Sequence, residues 1–101
     1  MTTNTFKLPG GGDLVMRELR VEEAIAVTDA FDGTRLTHEL TKRSIASVRG
    51  EAWTPENRDA LWSNLTAKER DLSFSGYRRV HMATDTERKG FLDSERVEVT
   101  E

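Results

Sequence analysis

Phe6-Lys7-Leu8-Pro9-Gly10-Gly11-Gly12-Asp13-Leu14-Val15-Met16-Arg17-Glu18-Leu19 decides the fold of this chain. Thr5-Phe6-Lys7-Leu8 alternates polar and apolar residues, the pattern of a short half-buried strand. Pro9 and the three glycines that follow must break it, because glycine takes up positive φ at little steric cost. Leu14–Leu19 then reads as a second strand, with Leu14, Met16 and Glu18 on one face and Val15, Arg17 and Leu19 on the other. Neither face is purely apolar, so the segment predicts an antiparallel hairpin at the edge of a sheet.

Beyond the hairpin, Val21-Glu22-Glu23 opens a helix, with two acids placed to complement the dipole of its first turn. Val21, Ala24, Ile25, Thr28 and Phe31 recur at helical spacing and are expected to form its buried stripe, and Asp32-Gly33 ends it. Thr34–Leu40 fits no single pattern, although Leu36 and Leu40 share a helical face. Residues 43–49 are rich in β-branched and small side chains and read as a strand, with Arg49-Gly50-Glu51 as its turn. Thr54-Pro55-Glu56 is a helix start, with Ala60, Leu61, Trp62 and Leu65 on the apolar side. Thr66-Ala67-Lys68-Glu69 is a capping box. The helix it opens runs towards Ala83, with Leu72, Val80 and Ala83 on one side and Phe74 and Tyr77 beside them. Gly76 lies within that face, which allows another backbone segment to approach closely. A second capping box, Thr84-Asp85-Thr86-Glu87, predicts a short helix over 85–89 ending at Gly90, with Phe91 and Leu92 docked on the core. Arg96–Val99 alternates like an edge strand.

These elements predict an α+β domain: an N-terminal β-hairpin followed by a small helical bundle with one or two further short strands. Residues 1–90 form the domain, and 91–101 form an acidic segment that orders on a partner. The 101 residues carry 15 basic and 18 acidic side chains, for a net charge of −3. Residues 1–50 balance at seven against seven, so the excess lies in the second half, with four acids in the last ten residues. An overall acidic chain does not suit a nucleic-acid binder. The absence of cysteine removes disulfides and thiolate chemistry. The polar residues after Met1 give no signal peptide, and no apolar run is long enough to span a bilayer.

Candidate chemistry is sparse. His38 and His81 are 43 positions apart, in unrelated patterns and without ligand spacing, so no metal site is expected. The glycines after Pro9 lead into a strand, with no lysine, unlike a phosphate-binding loop or a dinucleotide fingerprint. Glu22, Glu23, Glu51, Glu56, Asp59, Glu69 and Asp71 are explained mostly by caps and helix dipoles rather than by a catalytic pair. No serine sits in a nucleophile elbow. No enzyme activity and no cofactor are expected. Arg78 and Arg79, beside Tyr77 and His81, form the one concentrated basic spot. Trp53 and Trp62 are the largest anchors, serving either a core or an interface.

The run Phe6–Gly12, with Leu14–Leu19 and Val21-Glu22-Glu23, resembles small tail-assembly and baseplate-hub proteins of contractile-tailed bacteriophages. Those begin with a Leu-Pro-x-Gly-Gly hairpin, a strand ending near Arg-Glu-Leu and an acidic helix start. Ser44–Glu51 resembles their middle strand and glycine turn. Leu65–Leu72 followed by Tyr77 resembles their late helix, with Glu-Arg-Asp here in place of their Asp-Arg motif. The resemblance covers residues 6–80. It implies a non-enzymatic assembly chaperone or small structural subunit of a tail, baseplate or related particle. Such a protein acts in the host cytoplasm or within the virion, its partner a larger tail, baseplate or tape-measure protein, with self-association a further expectation. Read from the residues, Phe6, Leu8, Val15, Trp53, Trp62, Arg78, Arg79, Val97 and Val99 are the candidate interaction residues. The alternative is a small bacterial regulatory adaptor or antitoxin-like module, with Arg78 and Arg79 meeting an acidic patch.

Overall fold

The computed structural model describes residues 3–82 and 86–92. The expected hairpin is present: β1 (Thr3–Lys7) pairs antiparallel with β2 (Asp13–Arg17), Phe6 opposite Leu14 and Asn4 opposite Met16. Its turn is built as the sequence requires. Pro9 holds the second position of a turn closed by the Gly11 N–H on the Leu8 carbonyl at 3.0 Å. Gly11 and Gly12 take φ of 93° and 88°, which side-chain-bearing residues rarely adopt.

Two helices then intervene before the chain returns to the sheet. They are α1 (Val21–Ala30) and α2 (Gly33–Ser44), and α2 runs directly into β3 (Ile45–Val48). The unassigned stretch Thr34–Leu40 is thus helical, and the strand expected over 43–49 begins two residues late because Arg43 and Ser44 belong to α2. β3 pairs antiparallel with β2, and β4 (Glu51–Ala52) closes a second hairpin, giving a four-stranded sheet in the order β1-β2-β3-β4. The two-residue turn between them is left-handed at both positions, with φ of 51° at Arg49 and 81° at Gly50. That backbone matches the twist of the flanking strands.

Two further helices follow in chain order, α3 (Arg58–Asn64) and α4 (Ala67–His81). α3 starts three residues later than Pro55 suggested. Thr54 and Asn57 instead exchange hydrogen bonds, Asn57 N–H to Thr54 Oγ1 at 3.3 Å and Thr54 N–H to Asn57 Oδ1 at 2.8 Å. These close a turn ahead of the helix. The capping box of α4 forms as expected: the Glu69 N–H reaches Thr66 Oγ1 at 3.1 Å and the Thr66 N–H reaches Glu69 Oε1 at 2.9 Å. Arg49 ion-pairs with the same Glu69 carboxylate and donates from Nε to the Gly11 carbonyl at 3.2 Å. One guanidinium therefore joins the two hairpin turns to the start of α4.

Leu8, Leu14, Met16, Ile45, Val48, Trp62 and Val80 form the core, with Phe6, Trp53, Leu65, Phe74 and Tyr77 packed around it. Leu14 faces Val48 and Met16 faces Ile45 across the β2–β3 ladder. Burying each such side chain is worth roughly 1.5–3 kcal/mol. α4 packs across β1 and β2.

Two expectations about apolar faces are corrected. Val21 and Ile25 are exposed on α1, at 70% and 55%, whereas Val27 is buried. α1 packs on α2, and the Arg17–Glu23 ion pair at 2.8 Å ties the Glu23 side of α1 to the end of β2. The inward row therefore keeps Ala24 and Phe31 of the expected stripe and takes Val27, which also fits helical spacing, in place of Val21, Ile25 and Thr28. Phe91 and Leu92 are also exposed rather than docked, and the helical stretch 86–92 continues through Gly90 instead of ending there. The start of the second capping box (Thr84 and Asp85), Ala83, and the strand expected at 96–99 lie outside the described residues.

Candidate functional site

The outer edge of the sheet at β1 borders a groove made with α4. Phe6, Lys7, Leu8 and Leu14 line it from the hairpin, and Leu72, Ser75, Gly76 and Arg79 line it from the helix; its volume is about 290 Å³. Three of the helix residues follow from one spacing. Leu72, Gly76 and Arg79 stand at i, i+4 and i+7, which places them along one face of α4.

Gly76 sets the depth of the groove. A Cβ at this position would lie 2.6 Å from Met16 Sδ and 3.1 Å from Phe6 Cε2. Met16 is fully buried and has little room to move aside. The helix backbone therefore approaches the hairpin as closely as a missing side chain allows.

The charge of the groove is lopsided. Lys7 pairs with Asp13 at 2.9 Å, a solvent-exposed contact of small energetic value. Arg79 is exposed and makes no hydrogen bond or ion pair among the described residues. Among the described residues the groove thus offers an unpaired strand edge, an apolar trough and an unengaged guanidinium at one place.

Of the residues singled out in the sequence, the structure brings Phe6, Leu8 and Arg79 together here. Arg78 is exposed on the neighbouring side of α4. Val15 lies on the opposite face of β2, between Thr5 and Ser47, and takes no part in the groove. Trp62 is buried in the core and contacts Trp53 edge-on, with ring centroids 6.5 Å apart and planes at 89°. Trp53 is half-buried beside Leu61 and Leu65, under the β3–β4 hairpin and away from β1. Val97 and Val99 lie outside the described residues. Lys7, Leu14, Leu72 and Ser75 are groove residues that sequence reasoning did not single out for interaction; on the helix, the spacing of Leu72 to Gly76 and Arg79 carries the signal.

Neither histidine has a ligand-binding disposition. His38 sits among aromatic rings, 5.2 Å from Phe74 and 6.0 Å from Trp62. It is half-buried on α2 rather than free at the surface. His81 Nε2 accepts the Leu19 N–H at 2.9 Å, and Nδ1 lies 2.9 Å from the Tyr77 carbonyl. That pair of contacts requires the neutral Nδ1–H tautomer and ties the end of α4 to the exit of β2. The ring stacks on Tyr77 at 4.2 Å, and burial raises the Tyr77 pKa above its usual value.

No helix of the described residues is long and apolar enough to cross a membrane. No family model, curated protein or solved structure matches the chain.

Proposed function

We propose that this protein is a non-enzymatic assembly chaperone or small structural subunit of a contractile-tail particle, and that it works by taking a strand of a larger tail or baseplate protein onto the β1 edge. The observation that carries the reading is the groove beside that edge. Strand addition uses main-chain hydrogen bonds for affinity and side-chain pockets for selectivity. Here the trough formed by Phe6, Leu8, Leu72 and Gly76 takes alternate apolar side chains of the incoming strand. Arg79 selects a strand that carries an acidic residue at the rim. The particle type rests on the resemblance of residues 6–80 to tail-assembly and baseplate-hub proteins.

The test is recovery of the tagged full-length chain from host cells during particle assembly, with mass spectrometry of the bound proteins. Wild-type protein, Arg79→Glu and Leu72→Glu are compared, with Ala60→Glu on the exposed side of α3 as control. Recovery of a tail-tube, sheath, baseplate or tape-measure protein, abolished by both groove variants and kept by the control, supports the proposal. Recovery that ignores the groove variants contradicts the docking mode. Recovery of one cellular regulator instead contradicts the particle and transfers the reading to an adaptor.

A further inference from the structure

On another side of the molecule, α1, α2 and α3 enclose a cleft of about 330 Å³ that shares no lining residue with the β1 groove. Its chemistry is that of arginine. The guanidinium carbons of Arg35 and Arg43, both on α2, lie 5.3 Å and 5.7 Å from the centroid of the Phe31 ring at the end of α1. Arg58, the first residue of α3, faces the same space, and a smaller hollow of about 240 Å³ shares Phe31, Arg43 and Arg58 with it.

The carboxylates nearby are already committed. Glu39 holds both Lys42 and Arg43, and Asp59 holds Lys42 at 2.9 Å. The guanidinium groups of Arg35 and Arg58 make no hydrogen bond or ion pair among the described residues. The lining therefore carries four cations, Arg35, Lys42, Arg43 and Arg58, against two anions, Glu39 and Asp59. Arg58 is half-buried in this surplus. Its pKa is lowered from the usual arginine value, first by burial and then by repulsion from Arg43. A partly desolvated guanidinium held beside a second cation, with attraction to Asp59 and Glu39 only partly offsetting burial and repulsion, is an unfavourable arrangement on its own. It becomes favourable when an anion enters.

We infer that this cleft is a binding site for a phosphate monoester, held by the guanidinium groups of Arg35, Arg43 and Arg58. The charge fits: a phosphate monoester brings about −1.5 to −2 near neutral pH, matching the cationic surplus, whereas one carboxylate brings half of that. The geometry of the donors fits as well, because arginine forks bind phosphate oxygens in pairs. Phe31 and the neighbouring Pro55 give the group carrying the phosphate an apolar surface to rest on. The site is separate from the β1 groove and does not depend on the assembly role.

The test uses the folded full-length protein and backbone amide NMR. Inorganic phosphate, adenosine monophosphate, and a short phosphoserine peptide with its unphosphorylated form are titrated at constant ionic strength. Saturable shifts in residues 31–43 and 55–63 are expected with the phosphate-bearing probes. Arg58→Gln and Arg35→Gln should each weaken them at least about tenfold. Arg79→Gln, in the other groove, should bind as the wild type does. Arg35 is exposed, so its variant keeps the test open even if Arg58→Gln is poorly folded. Tighter binding of the mononucleotide identifies a small-molecule ligand, and tighter binding of the phosphopeptide identifies a phosphorylated chain. Shifts that do not saturate, that are the same with the unphosphorylated peptide, or that fall equally in Arg79→Gln would overturn the inference.

Discussion

The groove beside β1 and the cleft between α2 and α3 are similar in size, about 290 Å³ and 330 Å³, and opposite in construction. The groove exists because something is missing. Gly76 lets α4 sit close on Phe6 and Met16, and the walls are continuous with the hydrophobic core. The cleft exists because something is in excess: arginines from two helices gather round Phe31, and a pair of carboxylates does not neutralise them. The first hollow is held open by packing and the second by charge. Perturbations of the core and of the ion pairs should therefore separate them.

The largest effect is expected at the groove. Leu14 is 1% exposed and is both a core residue and part of the groove wall. Leu14→Ala should cost about 3 kcal/mol in urea unfolding, from lost burial together with the cavity it leaves. A loss below about 1 kcal/mol would break the comparison, because the groove wall would then be separable from the core.

The cleft should respond next, to loss of an anion. Burial pushes the Glu39 carboxyl up, but its hydrogen bonds with Lys42 and Arg43 outweigh that and hold its pKa below the usual range. The Glu39 and Lys42 side chains are 11% and 9% exposed. Glu39→Gln should destabilise the fold by about 2 kcal/mol, less than for a fully isolated pair because Asp59 still holds Lys42. Raising the salt concentration should narrow the gap between this variant and the wild type only slightly, because a nearly buried pair is weakly screened, and should leave the Leu14→Ala gap unchanged.

A smaller effect lies where α1 meets the sheet. The hydrogen bonds from Arg17 to the Glu23 carboxylate are the main reason its pKa is lowered to about 2, against the cost of burial. The unfolded chain takes up its proton first as the solution is acidified. The stability from this pair is thus complete above about pH 4.5 and is lost as the pH falls through about 2. With the side chains 25% and 34% exposed, solvent screening limits the contribution to about 1 kcal/mol. Glu23→Gln should flatten that part of the acid unfolding curve, measured by circular dichroism from pH 5 to 2.

The smallest effect has the opposite sign. Thr41 is fully buried on α2, and its hydroxyl has no hydrogen-bond partner among the described residues. Thr41→Val should raise stability by about 0.5–1 kcal/mol, because it removes an unsatisfied polar group while keeping the shape. A loss of stability would mean that the hydroxyl has a partner, such as an ordered water.

The two regions also differ in how readily the sequence reveals them. The hairpin, its glycine turn, the α4 capping box and the close approach at Gly76 are local signals. Each is carried by residues a few positions apart, and each is present in the fold. The α1 stripe was not legible in the same way. Ala24 and Phe31 face inward as expected, but Val27 as well as Val21, Ile25 and Thr28 fits helical spacing with them, and the choice is made by α2 and by Arg17, far outside the helix. The Thr34–Leu40 helix was hidden because its buried side is largely polar. Glu39, Thr41, Lys42 and Ser44 are buried there, and Lys42, already paired with Glu39, gains its second carboxylate only when Asp59 of α3 arrives. The cleft was illegible for the same reason. Arg35, Arg43 and Arg58 are scattered singly through the sequence, and only the packing of three helices makes them one site. Arg78-Arg79, the basic pair the sequence does display, is divided by the helix, so that Arg79 and not Arg78 lines the β1 groove.

The most direct test of the central claim, that the β1 edge is the docking surface, is site-specific photo-crosslinking in host cells during assembly. A photoreactive side chain is placed at Ser75 in the groove wall, at Ile25 in the exposed apolar patch of α1, or at Ala60 on α3. The account predicts that the Ser75 probe yields one adduct with a tail, baseplate or tape-measure protein, that Arg79→Glu abolishes it, and that the other two positions yield none. An adduct formed from Ile25 while Ser75 stays silent would contradict it and move the interface to α1.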